Sequence, residues 1–200
     1  MMVLMGAFLA AYLAGSIPFG LLVGYAVKGI DIRKHGSGNL GATNVFRVVG
    51  KKWGIGVLFL DALKGYLVLV GLVHWLTELG PYTQLGLGVT AILGHVFPIW
   101  LRFKGGKGVA TSLGVFLALI PGPALVTFGV WIAVFVLSRI ISLASLAAAL
   151  FFPGVIFVMM AGTPARSAYL GISLLLAGFI FFTHRANVGR LCKKEEKRII

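Results

Sequence analysis

The chain has 200 residues, of which 59% are apolar and only 12% are charged, and its mean hydropathy is +1.01. Soluble domains are about 45–50% apolar and about 25% charged, so the composition excludes an ordinary soluble domain and indicates an integral membrane protein. Lys and Arg number 18 against 5 Asp and Glu, a net charge of +13. This excess suits cytoplasmic loops and phosphate-binding sites. Nucleic acid is not an expected partner, because no basic face is interleaved with aromatic residues on a soluble module.

Seven apolar segments can be interpreted as helical membrane crossings, since a bilayer core about 30 Å thick needs about 20 helical residues. The first lacks the basic start of a secretory signal, so we expect it to be retained. The fourth and fifth are short, and a re-entrant hairpin or one long, bent helix is the alternative interpretation. The segments are 2–25, 54–75, 83–101, 109–120, 124–138, 141–161 and 167–183.

The distribution of basic residues favours seven crossings, with the N-terminus outside and the C-terminus in the cytoplasm. In that arrangement 16 of the 18 Lys and Arg residues lie on the cytoplasmic side, as the positive-inside rule expects. Omitting the fourth crossing would move Arg139 and the basic tail outside. We therefore predict an all-α, polytopic helical bundle that forms a single integral membrane domain over residues 1–200.

The first polar segment runs from His35 to Arg47. Its three glycines let the backbone turn tightly and direct N–H groups into one concavity, which suits an anion. Neutral hydrogen-bonding side chains surround them, and the arginine can hold a phosphate through two bonds. The alternative is a solvated interfacial loop in which glycine only provides flexibility. The candidate binding residues are Gly36, Ser37, Gly38, Asn39, Gly41, Thr43, Asn44 and Arg47.

The second polar segment, Lys104–Gly108, directly precedes the apolar run that starts at Val109. It combines two ammonium groups with a helix N-terminus, an arrangement that favours anions. It is not a Walker A loop, because Leu101 and Gly108 stand where that motif needs Gly and Ser or Thr. Alternatively, the lysines only anchor the helix end at the membrane surface. The candidate residues are Lys104, Gly105, Gly106, Lys107 and Gly108.

The third polar segment is divided between Ser138–Ser142 and His184–Arg190. On a helical continuation, His184 and Asn187 are three residues apart and face the same way. A histidine at the membrane boundary can orient a hydroxyl or act as a base, although it can also be a simple interfacial residue. The tail from Arg190 onward, with its basic run Lys193–Arg198, is interpreted as a surface anchor for anionic lipid.

Within the membrane, Asp61 and Lys64 lie one helical turn apart in the second predicted crossing. A lone charge there would be costly, so we expect the two to neutralise each other, with a proton or ion relay as the alternative. For the lone histidines His74 and His95 we expect helix–helix hydrogen bonds.

Missing residue patterns exclude several enzyme classes. The few acidic residues form no cluster able to hold Mg²⁺ for phosphotransfer. No histidine is followed five residues later by aspartate, as an H-x-x-x-x-D acyltransferase motif would require, and the single cysteine, Cys192, excludes an intrachain disulfide. We therefore expect no metal site and no cofactor.

Four motifs resemble those of the bacterial acyl-phosphate:glycerol-3-phosphate acyltransferases, the PlsY family. They are Gly36–Arg47, Gly94–Pro98, Phe103–Thr111 and His184–Leu191, and the resemblance spans essentially the whole chain. It implies transfer of a fatty acyl group from acyl phosphate to the 1-hydroxyl of glycerol 3-phosphate, giving lysophosphatidic acid and inorganic phosphate. This reaction is the first step of bacterial phosphatidic acid synthesis. We also expect the protein to be a monomer in the bacterial inner membrane, with a site that faces the cytoplasm.

Because acyl phosphate is already activated, we expect no covalent acyl-enzyme. Ser37 and Asn39 would hold the acyl-phosphate head and the developing oxyanion, while His184 and Asn187 would orient the attacking hydroxyl. Either His184 or the departing phosphate would take the proton. The groups expected to bind glycerol 3-phosphate are Arg47, Lys104, Lys107 and Ser142. The alternative function is a small anion or phosphate transporter, which would need polar residues that continue across the membrane.

Overall fold

The structure, a computed structural model, describes residues 1–76 and 79–199, apart from the side chain of His74. The hydrogen bond expected for His74 therefore lies outside the described residues. Within them the chain is all-helical, with no strand, and it forms two compact units, Met1–Leu119 and Ile120–Ile200. The α-helices are α1 (Met2–Gly15), α2 (Phe19–Lys28), α3 (Ala42–Val48), α4 (Lys51–Trp75), α5 (Pro81–Val96), α6 (Val109–Leu119), α7 (Pro121–Ser138), α8 (Ile141–Met159), α9 (Arg166–Thr183) and α10 (Arg185–Cys192). Ile32–Lys34 and Ile99–Leu101 are short 3-10 helices.

Six helical segments of the described chain are long and apolar enough to cross a membrane, which confirms the predicted class of fold. They match six of the seven predicted crossings to within a few residues. The remaining one corresponds to α6, whose 11 residues span about 16 Å, roughly half of the bilayer core. The chain is not helical at Ile120, so α6 and α7 are separate helices. The six segments are Met2–Lys28, Lys51–Val73, Pro81–Leu101, Pro121–Ser138, Ile141–Met159 and Arg166–Thr183.

The first membrane segment is broken where α1 gives way to α2. Pro18 lacks an N–H and restricts the residue before it, so the helix cannot continue through this point. The break leaves the Ile17 carbonyl outside the helical hydrogen-bond pattern, and the Lys64 ammonium group of α4 donates to it over 2.8 Å. A lysine in a membrane segment thus donates a hydrogen bond to a backbone oxygen for which the lipid interior has no donor.

Glycines allow the helices of the first unit to approach closely. A methyl group added to Gly114 of α6 would overlap the Ala62 carbonyl of α4, and one added to Gly15 of α1 would overlap the Ala91 backbone of α5. Such small residues at contacts are the usual way for membrane helices to pack, because lipid provides little hydrophobic drive for association. The first and second polar segments both belong to this unit.

The second unit contains α7 to α10 and the tail. Trp131 of α7 donates from its ring nitrogen to the Ser145 hydroxyl of α8 over 3.2 Å. The tail returns toward the start of α8, where the Ile199 amide donates to the Arg139 carbonyl over 2.9 Å. Both halves of the third polar segment lie in this unit.

Candidate active site

Glycines give the first polar segment its tight turns. Gly36 and Gly38 have φ values of +61° and +71°, in the left-handed region that glycine adopts without strain. The Gly38 amide donates to the His35 carbonyl over 3.0 Å, and the Gly41 amide donates to the Asn39 side-chain oxygen over 2.8 Å. These two amides therefore form hydrogen bonds within the loop, whereas the sequence predicted that the amides of this segment bind an anion.

Asn44 is the residue around which the first polar segment is built. Its side chain is almost fully buried at 1% exposure. The side-chain nitrogen lies 3.1, 3.0 and 2.9 Å from the carbonyls of Ile32, His35 and Asn39, and the side-chain oxygen accepts from the Ser37 amide over 2.9 Å. Asn44 is thus engaged within the loop, a role that differs from the predicted ligand contact.

Other predicted residues of this segment remain accessible. Ser37 and Arg47 are exposed, and Asn39 and Thr43 are half-buried. Arg47 lies in the last turn of α3, which packs against the start of α4 so closely that a methyl group on Gly54 would overlap Phe46. The segment therefore presents hydroxyl, amide and guanidinium groups from a backbone whose shape is held internally.

The second polar segment folds back on the C-terminal end of α5. The Gly105 amide donates to the Val96 carbonyl over 2.9 Å, and the Gly106 amide donates to the His95 carbonyl over 3.1 Å. These bonds use carbonyls that the end of a helix leaves without partners in the helix itself. The path of residues Lys104–Gly108 is therefore set by α5.

The same segment leads directly into α6. Gly108 has a φ of +85°, a left-handed conformation that suits glycine, and its carbonyl accepts from the Ser112 amide over 2.8 Å. Lys104 is exposed and Lys107 is half-buried. Two ammonium groups thus belong to the loop that opens the 11-residue helix α6, the anion-favouring combination expected from the sequence.

The first and second polar segments meet within the first unit. Leu40 of the first and Gly106 of the second line the same cavity of about 10 Å³, close to the lower limit for one water molecule. The fold thus brings together two segments that are about 65 residues apart in the chain. The cavity is also lined by Gly20, Asp61, His95 and Pro98.

The predicted ion pair in the membrane segment is confirmed. The Lys64 ammonium group lies 2.8 Å from the Asp61 carboxylate, and each side chain is only 4% exposed. The His95 ring brings its Nδ1 within 3.5 Å of the same carboxylate oxygen, which links α5 to α4. Asp61 therefore connects the break between α1 and α2, through Lys64, with the end of α5.

In the second unit a glutamate with a buried side chain links residues of the third polar segment, a feature that the sequence interpretation missed. The side chain of Glu196 is 4% exposed and forms an ion pair with Arg190. Its other oxygen accepts from the Ser142 hydroxyl over 2.9 Å and from the Asn187 amide over 2.7 Å. The interpretation of everything from Arg190 onward as a surface tail is therefore wrong for these two residues. Two adjacent glutamates within a lysine run were the available signal, since they do not suit binding to anionic lipid.

The charged form of Glu196 is stabilised in the folded chain. Burial opposes ionisation, but hydrogen bonds from Arg190, Asn187 and Ser142 outweigh it and hold the pKa of the carboxyl below its usual value. The carboxylate therefore fixes the predicted site residues Ser142 and Asn187 at neutral pH.

His184 lies between α9 and α10 and is 3% exposed. Its Nδ1 is 2.9 Å from the Ile180 carbonyl. Because a carbonyl can only accept, this hydrogen bond places a proton on Nδ1, and the neutral ring then has Nε2 as its basic nitrogen. The predicted helical continuation is interrupted at His184, because α9 ends at Thr183 and Asn187 lies in the separate helix α10. The Asn187 amide still donates to the His184 carbonyl over 2.7 Å, so the two residues share one turn.

Comparison with known proteins identifies the family. Residues 5–194 match the family Glycerol-3-phosphate acyltransferase. The glycerol-3-phosphate acyltransferase of Myxococcus xanthus is 49% identical over 191 residues, which cover 95% of this chain and 96% of that protein. The crystal structure of PlsY (YgiH), an integral membrane glycerol 3-phosphate acyltransferase, is similar in its glycerol 3-phosphate form with a TM-score of 0.85, 39% identity and coverage of 98% of this chain and 95% of that one. Its lysophosphatidic acid form gives a TM-score of 0.83 at the same identity and coverage. The resemblance inferred from the motifs is thus confirmed, and the chain belongs to the PlsY family of integral membrane glycerol-3-phosphate acyltransferases.

Proposed function

We propose that this chain transfers a fatty acyl group from acyl phosphate to the 1-hydroxyl of glycerol 3-phosphate. Membership of the family makes it a membrane acyltransferase of phospholipid synthesis that acts on glycerol 3-phosphate; the donor, the product and the mechanism are our proposal. The observation that carries it is the meeting of the first and second polar segments at one cavity. Two adjacent segments suited to anions fit a reaction whose two substrates each carry a phosphate.

In the proposed reaction the 1-hydroxyl oxygen attacks the acyl carbonyl carbon. The carbon–oxygen bond to phosphate breaks, inorganic phosphate leaves with the bonding electrons, and lysophosphatidic acid is formed. Since acyl phosphate is a mixed anhydride, this direct transfer requires neither a covalent acyl-enzyme nor a metal or cofactor. Catalysis then consists of positioning and charge stabilisation.

The donor phosphate and the developing oxyanion would be held by the first polar segment. Ser37 and Asn39 supply the groups that contact them, with Thr43 and the backbone of Gly36, Gly38 and Gly41 beside them. One well-placed oxyanion donor is typically worth about 3–4 kcal/mol of transition-state stabilisation. Asn44, engaged with the carbonyls of its own loop, would act by maintaining the shape of this site.

The phosphate of glycerol 3-phosphate would be held by cationic groups. Arg47 can form two parallel bonds, while Lys104 and Lys107 act as point charges. The backbone of Gly105, Gly106 and Gly108 would place the two lysines. Ser142 stays a predicted binding residue for the same substrate.

The proton of the attacking hydroxyl has two possible acceptors in this proposal. His184 can take it on Nε2, with Asn187 orienting the hydroxyl, or the departing phosphate can take it. A general base usually contributes about 10²–10⁴-fold to the rate. A His184→Ala variant would distinguish the two routes, because a fall in kcat of that size supports histidine and near-normal turnover supports the phosphate.

The acyl chain would occupy an apolar groove in the first unit. The groove has a volume of about 400 Å³ and lies between α1, the start of α2 and α4. Its wall on α4 runs from Leu60 to Leu72, about 18 Å along the helix axis. Lys64, whose ammonium group points to the Ile17 carbonyl, lines the same groove. An apolar wall of this length suits a fatty chain.

The membrane arrangement that we propose has the N-terminus outside and the C-terminus in the cytoplasm of a bacterial inner membrane. It is supported by the positions of the basic residues, and it gives the active site of a monomer access to cytoplasmic substrates. This arrangement counts α6 as a crossing; a short helix can be accommodated by local thinning of the bilayer.

The donor is tested by incubating the purified protein in detergent with glycerol 3-phosphate, EDTA and one of three donors. We expect lysophosphatidic acid from acyl phosphate, with an equal amount of inorganic phosphate, and none from acyl-CoA or acyl carrier protein. Product from acyl-CoA with release of a thiol, and none from acyl phosphate, would contradict the proposed donor.

A further inference from the structure

We propose that His95, anchored by Asp61, is a positioning residue that holds the second polar segment in the place needed to bind glycerol 3-phosphate. The inference rests on the function proposed above, in which Lys104 and Lys107 bind the acceptor phosphate. It gives a role to a buried polar group that the proposed chemistry does not use.

His95 contacts Gly106 through both its backbone and its ring. The Gly106 amide donates to the His95 carbonyl over 3.1 Å. A methyl group added to Gly106 would overlap the His95 ring at its Nε2 edge. The ring therefore lies directly against the Gly106 backbone, and glycine is required there because no side-chain atom has room.

The opposite side of the ring faces a buried carboxylate. Nδ1 of His95 is 3.5 Å from Asp61, and the same carboxylate pairs with Lys64 over 2.8 Å, with both side chains 4% exposed. The lysine in turn donates to the Ile17 carbonyl. Separating the two charges of a buried ion pair is costly, because each charge would then lack a partner in a region without water. Asp61 is thus a fixed point, and the ring of His95 lies between it and Gly106.

This contact matters because both lysines of the second polar segment lie within two residues of Gly106. Lys104 is exposed, with a long, flexible side chain, and it is two residues from Gly106, while Lys107 follows Gly106 directly. A shift of the Gly106 backbone would therefore displace both ammonium groups. Displaced ammonium groups would bind the substrate phosphate less tightly in the ground state and in the transition state alike, which raises KM more than it lowers kcat.

The first test is His95→Ala, which removes the ring and leaves the Asp61–Lys64 pair in place. We expect KM for glycerol 3-phosphate to rise about 10-fold and kcat to change less than about 3-fold, because the loss falls on substrate binding. The matched control is Ser145→Ala, which removes a buried polar contact with Trp131 in the second unit and should leave this KM unchanged. A His95→Ala enzyme with lower thermal stability but a normal KM would show a merely structural role and would overturn the inference.

The second test uses the overlap between a methyl group on Gly106 and the His95 ring. Gly106→Ala alone should raise KM for glycerol 3-phosphate, because the new methyl group and the ring cannot both keep their positions. In the His95→Ala background the ring is absent and a methyl group has room. The factor by which Gly106→Ala raises KM should therefore be at least about 5-fold smaller in that background than in the normal enzyme. If Gly106→Ala raises KM by the same factor in both backgrounds, the ring does not position Gly106.

A third variant separates failure of the inference from failure of the proposed function. Lys104→Ala should raise KM for glycerol 3-phosphate if the second polar segment binds that substrate. If Lys104→Ala has a normal KM in an active enzyme, the proposed role of the segment is wrong. If Lys104→Ala raises KM and His95→Ala does not, the segment binds substrate and only the positioning role of His95 is wrong.

Discussion

Single buried polar side chains shape both units of the protein. Asn44 engages two carbonyls and one amide of the first polar segment as well as the Ile32 carbonyl that precedes it. Glu196 accepts hydrogen bonds from three donors in the second unit. The sequence indicated Asn44 as a candidate residue, because it is a polar residue in a glycine-rich motif. The sequence did not show which way its side chain points. Whether an asparagine faces a ligand or its own loop depends on the path of the backbone, which residue types alone do not specify.

Asn44→Asp should inactivate the enzyme without unfolding it. The substitution replaces an N–H donor by a carboxylate oxygen that faces the carbonyls of Ile32, His35 and Asn39, so the loop must change shape to relieve the repulsion. We expect kcat/KM to fall about 100-fold, equal to about 2.7 kcal/mol, with the helical circular dichroism spectrum retained. Thr127→Val, which removes a side-chain hydrogen bond within α7, is the control and should be fully active. Normal activity in Asn44→Asp would refute the shaping role.

Glu196 should make the stability of the protein depend on pH in the acidic range. The pKa of this carboxyl is lower in the folded chain than the value of 4.5 expected for an unperturbed glutamate. Its contribution to stability is therefore fully present above about pH 4.5 and is lost as pH falls through the lower, folded value. We expect the melting temperature of the normal protein to fall more steeply below about pH 4.5 than that of Glu196→Gln. Parallel curves would show that the carboxylate does not hold the tail.

At the scale of elements, the helices were largely predictable and the tail was not. The apolar segments are bounded by prolines and charged residues, so their limits agree with the observed helices to within a few residues; Pro18 and Pro121 mark a break and a helix start. The tail was misjudged because its composition is that of a lipid anchor. Its fold depends on Ser142, which is 54 residues from Glu196 in the chain, and no local pattern reveals such a contact.

The apolar groove should determine which acyl chains are accepted. Ala10 of α1 lines the groove. A bulky side chain at Ala10 would reduce the space for the chain. We expect Ala10→Trp to lower kcat/KM for palmitoyl phosphate about 10-fold, equal to about 1.4 kcal/mol, and to leave octanoyl phosphate unaffected. Ala133→Trp, at an exposed position of α7, is the control. Equal losses for both donors would argue against this groove.

At the scale of the whole molecule, the charge distribution predicts the orientation in the membrane. The family and the all-helical fold followed from motifs and composition, and both are confirmed. The orientation rests on the positive-inside rule and on the counting of α6 as a crossing, since one crossing more or fewer would reverse the C-terminus. The native cysteine offers a direct test, because Cys192 is the only cysteine of the chain and is exposed near the C-terminus.

Cys192 should react with a membrane-impermeant maleimide only from the cytoplasmic side. We expect labelling in inverted membrane vesicles and none in intact cells. In a Cys192→Ser background, a cysteine introduced at Met2, an exposed residue, should show the opposite pattern. Labelling of Cys192 in intact cells would place the tail outside and contradict the proposed topology.

The central claim is that two phosphate sites hold both substrates together for direct transfer. The most direct test is inorganic phosphate release from acyl phosphate, measured over the first turnover with and without glycerol 3-phosphate, in the presence of EDTA. Direct transfer predicts no phosphate release until glycerol 3-phosphate is added, and then one lysophosphatidic acid for each phosphate. A burst of one phosphate per enzyme in the absence of glycerol 3-phosphate would reveal a covalent acyl-enzyme and contradict the account.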